Sequence, residues 1–287
     1  MTLKIIVLAK QVPDTRNVGK DAMKTDGTVN RAALLAIFNP EDLNALEQAL
    51  CLKEQFPCST VHLITMGPPR AASIIREGLF RGADGGFLLT DRVFAGADTL
   101  ATSYTLQKAI KKIGDFDIIF SGRQAIDGDT AQVGPQVAEK LNIPQITYAE
   151  EIQAVNSSKI TVKRRLEHGV EIVECKMPVL ITVNGSAPVC RPRNAKLIQK
   201  YKHAKTASEN KVDNSCPFHE NVDLNLIEWG AADVNADEKQ CGLSGSPTKV
   251  KKIESVVFQA KENKTLNSSD QQIEALMVEL ITNHTIG

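Results

Sequence analysis

Ser121-Gly122-Arg123-Gln124-Ala125-Ile126-Asp127-Gly128-Asp129-Thr130-Ala131-Gln132-Val133-Gly134 decides the fold. It follows Phe116-Asp117-Ile118-Ile119-Phe120, an apolar run that reads as a buried strand, and it leads into Gln132–Leu141, which reads as a helix. A strand, a glycine-containing loop and a helix start together make a site for an anion. The first amides of a helix have no intrahelical acceptor, and the positive end of the helix dipole faces the loop. Gly122 and Gly128 permit turns and a close approach that a side chain would block. Asp129 or Thr130 can cap the helix, and Arg123 brings a planar fork of donors suited to phosphate oxygens. An ordinary strand-to-helix loop has the same outline, so both readings stay open on physics alone.

Upstream, Lys4–Ala9 is a continuous apolar run that suits a strand buried on both faces of a parallel sheet. Ala9 and the segment Lys10-Gln11-Val12-Pro13-Asp14 then leave the sheet at its carboxyl end, where open α/β sheets bind ligands. The polar stretch 19–31 suggests a short hairpin around Asp26-Gly27. Asn39-Pro40-Glu41-Asp42 opens a helix, with Asn39 as N-cap, Pro40 in the first position and two acids at the positive end of the dipole. Thr60–Met66 predicts a second strand, 71–80 a helix, and Gly86–Thr90 a third strand. Strand and helix alternate at the pace of a doubly wound sheet. Neither a G-x-G-x-x-G fingerprint nor a Walker A loop is present.

Phe94-Ala95-Gly96-Ala97-Asp98-Thr99-Leu100-Ala101-Thr102 leads into a helix that runs to Ile113. Gly96, Asp98, Thr99 and Thr102 offer amides, a cap and two hydroxyls at a second helix start, and so a second place for an anion. Plain helix-start chemistry is the competing reading. Farther on, the strands 146–155, 159–163 and 170–175, with a turn at Glu167-His168-Gly169, predict an antiparallel addition to the sheet, and Val179–Val183 another buried strand. Arg164 and Arg165 read as a charged face. Residues 207–222 read as a polar linker, and 271–281 as an amphipathic helix with Ile273, Leu276, Met277 and Leu280 on one face. The tail has too few apolar residues in register to make its own core.

Composition narrows the class. Lys and Arg balance Asp and Glu at 34 each, which gives no field favouring nucleic acid or an anionic membrane. No run is long and apolar enough for membrane insertion, and the first residues read as a strand and not as a cleavable leader. The six cysteines form no Cys-x-x-Cys pair and the histidines are dispersed, so no metal and no disulfide framework is expected. A cytoplasmic protein with reduced thiols is the expectation.

The string Gly122–Gly134 resembles the nucleotide-binding loop of the beta (small) subunit of electron-transfer flavoproteins. The Ala-Lys-Gln-Val-Pro-Asp segment ending at Asp14 and the Phe94–Thr102 segment resemble the same family, and the likeness extends over nearly the whole chain. The resemblance implies an open, doubly wound, mostly parallel, Rossmann-like sheet that binds an adenine nucleotide, with an antiparallel hairpin and a C-terminal arm. It implies residues 1–206 as the nucleotide-binding domain, and 207–287 as a linker and arm packing on the partner subunit. Phe94–Thr102 and Arg123–Gly134 look like the electron-bifurcating branch, which holds a second FAD in this subunit. The conventional branch holds AMP instead.

By that resemblance the cofactor-binding residues are Ala9, Asn39, Asp42, Met66, Phe94, Ala95, Gly96, Asp98, Thr99, Thr102, Gly122, Arg123, Gln124, Ala125, Ile126, Asp127, Gly128, Asp129, Thr130, Ala131, Gln132 and Val133. No side chain is implied as acid, base or nucleophile. NADH would give a hydride to the FAD held here. One electron would pass through the FAD of an alpha subunit to a flavin dehydrogenase of acyl-CoA or lactate type, and the other to ferredoxin or flavodoxin. The region 186–197 would carry a loop that docks the dehydrogenase, with its apolar anchor near Val189; a solvated loop explains the same residues. A stand-alone nucleotide-binding module of stress-protein or ATP-pyrophosphatase type is the reading from another class.

Overall fold

The chain is seen in a computed structural model that describes residues 1–14, 35–212, 225–248, 265–283 and 285–286. The hairpin expected around Asp26-Gly27 lies outside the described residues, as does most of the stretch expected as a linker.

Residues up to Lys251 make one compact unit. Its first strand, β1 (Lys4–Leu8), is apolar on both faces, which only a central position in a two-layered sheet satisfies. It pairs in parallel with β4 (Thr60–Met66) on one side and with β6 (Ile118–Gly122) on the other. β5 (Gly85–Leu89) lies beyond β4, and β10 (Val179–Val183) beyond β6, all parallel. The long β7 (Gln145–Val155) follows in parallel with β10, and the antiparallel β8 (Lys159–Leu166) and β9 (Gly169–Lys176) complete that edge. Arg164 and Arg165 are on this charged face, paired with Glu171 and Glu150.

Helices cover both faces. On one face α1 (Pro40–Gln55) and α2 (Ala72–Arg81) enclose a core that includes Leu3, Leu46, Leu63, Ile75 and Phe120. On the other, α3 (Thr99–Ile113) and α4 (Val133–Leu141) cover Ile6, Ile64, Leu89, Ile119 and Leu180. The chain passes from β1 to β4 and β5, then returns past β1 to place β6 on its other side. That reversal opens a crevice at the carboxyl ends of β1 and β6, the place where doubly wound sheets hold ligands. Leu8 and Ser121 are register partners, so Ala9 and Gly122 stand one step beyond, at its lip. A small antiparallel pair, β2 (Gln11–Pro13) and β3 (Ala36–Phe38), lies just past the end of β1.

The first unit continues past residue 206. β11 (Lys205–Thr206) and β12 (Asn225–Trp229) extend the sheet beside β5, in parallel. Residues 207–212, expected as linker, form α6 (Ala207–Val212), whose Glu209 makes a two-pronged ion pair with Arg76 on α2. Beyond β12, Ala231, Val234 and Cys241 enter the core under α3. The tail could not make its own core, and this part of it joins an existing one. Farther back, α5 (Ala195–Tyr201) begins where Asn194 accepts from the amides of Lys196 and Leu197 as its cap.

Residues 252–287 form a second unit, in which α7 (Asp270–Thr282) carries no buried residue. Among the described residues, no helix is long and apolar enough to cross a membrane.

Candidate functional site

The β6–α4 loop is held from three directions. Asn39 precedes α1 but does not cap it with its side chain. Its Nδ2 donates to the Gln124 carbonyl (2.9 Å), and its Oδ1 accepts from the Ile126 amide (3.2 Å). Asp42 accepts from the Gly122 amide (2.9 Å) and, with its other oxygen, from the Lys10 amide (2.8 Å). Lys10 Nζ in turn meets both Asp127 oxygens, at 2.7 and 2.9 Å. One turn of helix thus fixes the ends of β1 and β6 and the loop between β6 and α4.

Gly122 is required by this packing. A Cβ there would fall 2.5 Å from Asp42 Oδ1 and 2.8 Å from both the Asp42 nitrogen and the Glu41 carbonyl carbon. Farther along, Asp129 and Ala131 take left-handed backbone conformations (φ 48° and 52°) that turn the chain into α4. Gly128 borders open space, with nothing within 4 Å of an added Cβ.

Three expectations for this loop need correction. Arg123 is not a free positive charge: its Nη2 pairs with Glu41 Oε1 at 2.9 Å, and the same carboxylate accepts from the Gln124 amide at 3.0 Å. The Glu41 hydrogen bond raises the Arg123 pKa above its ordinary value. Neither Asp129 nor Thr130 caps α4. Asp129 accepts from Gln124 Nε2 (2.9 Å), and the residue before α4 is Gln132, with no capping side-chain bond. The third concerns Asn39, whose side chain reaches for the loop and not for its own helix.

At the second loop, Phe94 ends a one-turn 3₁₀ helix and is buried in the core. The Ala95 carbonyl accepts from the Leu243 amide (3.0 Å). Gly96 has φ 73° and faces Leu243. Asp98 caps α3 through the amides of Leu100 (2.9 Å) and Ala101 (3.0 Å). Its second oxygen accepts from the Thr248 amide and hydroxyl, and its own amide donates to Ser246 Oγ. Burial opposes the Asp98 charge, but the Thr248 bonds and these amides outweigh it and hold the carboxyl below its ordinary pKa. The α3 amides expected to be open to an anion are therefore already occupied by this carboxylate.

The two loops meet. Thr99 Oγ1 donates to Gln132 Oε1 (2.9 Å), and Gln136 Nε2 donates to Thr99 Oγ1 (3.3 Å), so the starts of α3 and α4 lie side by side. Thr102 is one turn into α3, its amide on the Asp98 carbonyl. Ala125 accepts the amides of Gly128 and Asp129, which closes the loop on itself. Val133 opens α4. Met66, at the end of β4, packs against the core beneath α3. Lys10, Glu41, Ser246 and Thr248 were not among the expected site residues. Glu41 had read only as a complement to the dipole, and nothing local marks the other three, whose partners are distant in sequence.

The start of α4 suits the phosphate of a nucleotide. It is uncapped, Gly128 leaves room beside it, and the buried Ser121 hydroxyl at the end of β6 has no hydrogen-bond partner among the described residues. Among the same residues, no cluster of His, Cys, Asp or Glu could hold a metal ion.

Asp42 makes this site pH-sensitive. Burial pushes its carboxyl up from 3.8 to about 7, against the opposing pull of the Lys10 and Gly122 amides, Asn39 and the Lys10 charge. A pKa raised by folding means that the folded state binds the proton more tightly. This contribution to stability is complete below about pH 4 and lost as pH rises through about 7. The shift corresponds to at most about 4 kcal/mol. Asp42→Asn should remove that slope and add a separate, pH-independent cost of about 1–3 kcal/mol because one backbone amide loses its acceptor. Urea unfolding at pH 5 and pH 8 checks this: the gap between wild type and variant should narrow at pH 8, and a constant gap would refute it.

Comparisons with known proteins agree with this fold. The sequence model of the electron transfer flavoprotein domain family matches residues 26–213. The electron transfer flavoprotein subunit beta of Clostridium acetobutylicum is 45% identical over 250 residues, covering 87% of each chain. The caffeyl-CoA reductase-Etf complex subunit CarD of Acetobacterium woodii is 40% identical over 248 residues, 86% of each. The acryloyl-CoA reductase electron transfer subunit gamma of Anaerotignum propionicum is 52% identical over 182 residues, 63% of this chain and 67% of that one. With a doubly wound sheet, a loop fastened at its switch point and matches of this length, the chain belongs to the electron transfer flavoprotein family, among its beta subunits.

Proposed function

We propose that this chain is the nucleotide-carrying beta subunit of a cytoplasmic, heterodimeric, electron-bifurcating flavoprotein, with FAD held across residues 94–102 and 122–133 and NADH as electron donor. The observation that carries the reading is the Thr99–Gln132 hydrogen bond, which sets the two loops side by side. The open start of α4 would take a phosphate, and the neighbouring segment 94–102 would give the other half of a dinucleotide a place to lie. Bound there, FAD would supply the redox chemistry, taking a hydride from NADH and sending one electron through an alpha-subunit FAD to an acyl-CoA or lactate-type dehydrogenase and the other to ferredoxin or flavodoxin.

The chain's own residues bind and orient. The uncapped amides of α4 and the hydroxyls of Thr99, Thr102 and Thr130 would hold phosphate and ribose. Gly122 and Gly128 let the backbone approach, and Asn39, Asp42 and Lys10 hold the loop in place. The names of the relatives from Acetobacterium and Anaerotignum support an acyl-CoA-type partner.

A conventional subunit with structural AMP is the second reading, and Asp98 favours it, because its carboxylate already occupies the amides of α3. Thr99→Val with Thr102→Val separates the two. FAD content falling at least fivefold in the purified heterodimer supports the FAD reading; unchanged nucleotide content supports AMP.

The loop 186–193 supplies a further prediction. Asn44 Nδ2 donates to the carbonyls of Ala187 and Pro188, and Arg191 pairs with Glu47 and Glu54 on α1. Its base is thus anchored, while Val189 stands 87% exposed. If Val189 is the apolar anchor of dehydrogenase docking, Val189→Asp should lower the rate of electron delivery to the dehydrogenase about tenfold or more, since an apolar contact would become a desolvated charge. Nucleotide content should not change. An unaltered rate would remove Val189 from the docking surface.

A further inference from the structure

The C-terminal segment closes over α3 and leaves a cavity beside the second loop, which contributes Leu100 alone to its lining. Residues 238–248 are fastened at Ala95 and at Asp98. Between this segment and the helices α3 and α4 lies a cavity of about 360 Å³. That size falls within the range of small-molecule sites. Tyr104, Lys140, Lys239, Gln240, Ser244 and Ser246 contribute to its lining, and none of them is among the nucleotide-binding residues proposed above.

The lining carries two ammonium groups and no carboxylate. Neither Lys140 nor Lys239 forms a salt bridge among the described residues. A third lysine, Lys108, stands over the Tyr104 ring, 5.5 Å from its centre. The Tyr104 hydroxyl accepts from the Asp237 amide (2.9 Å), which leaves its own proton to donate. The carboxylates of Asp98 and Asp237 keep their charge but lie outside the lining. Asp98 holds Thr248, and Asp237 accepts from the Lys239 amide and from Gln240 Nε2. The charge of the lining itself is positive, and hydroxyl donors accompany its two ammonium groups.

We propose that this cavity binds the phosphate group of a small phosphate-bearing ligand. Lys140 and Lys239 act as point charges on its oxygens, and Tyr104 and Ser244 supply hydroxyl donors. Free pyrophosphate and the phosphate of an adenine nucleotide share this chemistry.

The test is calorimetric titration of the heterodimer, carrying its resident nucleotide, at low ionic strength in phosphate-free buffer. Pyrophosphate is the probe in one arm and AMP in the other. Saturable binding of either probe, with the resident nucleotide retained, is expected, and Lys140→Gln with Lys239→Gln should weaken it at least tenfold. Binding of pyrophosphate alone would identify an inorganic anion as the source, and binding of both would point to a nucleotide. The double variant should keep its nucleotide content and thermal midpoint. No saturable binding of either probe, binding unchanged in the variant, or release of the resident nucleotide on titration would each overturn the proposal. The first two results leave the reading of residues 94–133 untouched, whereas release would place the probe in that nucleotide site.

Discussion

Gly122→Ala should destabilise the subunit by about 3–5 kcal/mol and strip its nucleotide. The added Cβ has nowhere to go: it would meet Asp42 Oδ1 at 2.5 Å and two atoms of the α1 backbone at 2.8 Å. Only a shift of α1 away from β6 relieves those contacts. That shift would break the Gly122–Asp42 bond and the Gln124–Glu41 bond that hold the loop. Stability and binding should therefore fall together. Gly128→Ala is the matched control, because nothing lies within 4 Å of its added carbon and its stability should change by less than about 0.5 kcal/mol. Thermal unfolding and nucleotide content of the two variants decide the matter. A Gly122→Ala protein as stable as the Gly128→Ala protein and as loaded with nucleotide as wild type would show that α1 does not clamp the loop.

Gly242→Ala should have an effect of similar size at the second loop, about 3–5 kcal/mol. Gly242 has φ 52°, and a Cβ on it would lie 2.0 Å from the Val93 carbonyl oxygen and 2.8 Å from that of Ala95. Both oxygens are backbone, so no side-chain rotation can make room. The segment 241–248 must lift off. Asp98 would then lose Ser246 and Thr248, and Cys241, only 1% exposed, would leave the core. Limited proteolysis should cut near residues 238–248 in the variant and not in wild type, while β1, β4 and β6 stay protected. Equal protease resistance would mean that the segment is not seated as described.

The contrast between these two glycines shows what a sequence can disclose. Gly122 stands in a strand–loop–helix pattern contained within residues 116–141, and the alternation that carries it also carries the parallel order of the central strands. Local periodicity is enough for that, because each strand is buried on both faces and each helix on one. Gly242 has no such frame. Its necessity comes from Val93 and Ala95, about 150 residues away in the chain. The same distance hid β12, whose partner is β5, and the Asp98–Thr248 bonds.

Side-chain roles at the loop were half legible. Asn39, Glu41 and Asp42 have the grammar of a helix start, and they are at a helix start. Local rules assign such residues to their own helix. Here the crevice at the switch point brings a second chain segment within reach, and the unsatisfied amides of that segment compete successfully for the same oxygens. Arg123 shows the same effect in reverse. Its fork suits phosphate, but the Glu41 carboxylate, 2.9 Å away, is the partner the fold provides.

What the two loops hold together is read most directly from the nucleotide released on denaturation. The chain would be co-expressed with its alpha subunit, the purified heterodimer denatured, and the released molecules identified by mass and counted against protein. Two FAD per heterodimer and no AMP is the predicted result. One FAD and one AMP would contradict it, and would make the carboxylate of Asp98, set on the start of α3, the feature that keeps a dinucleotide out.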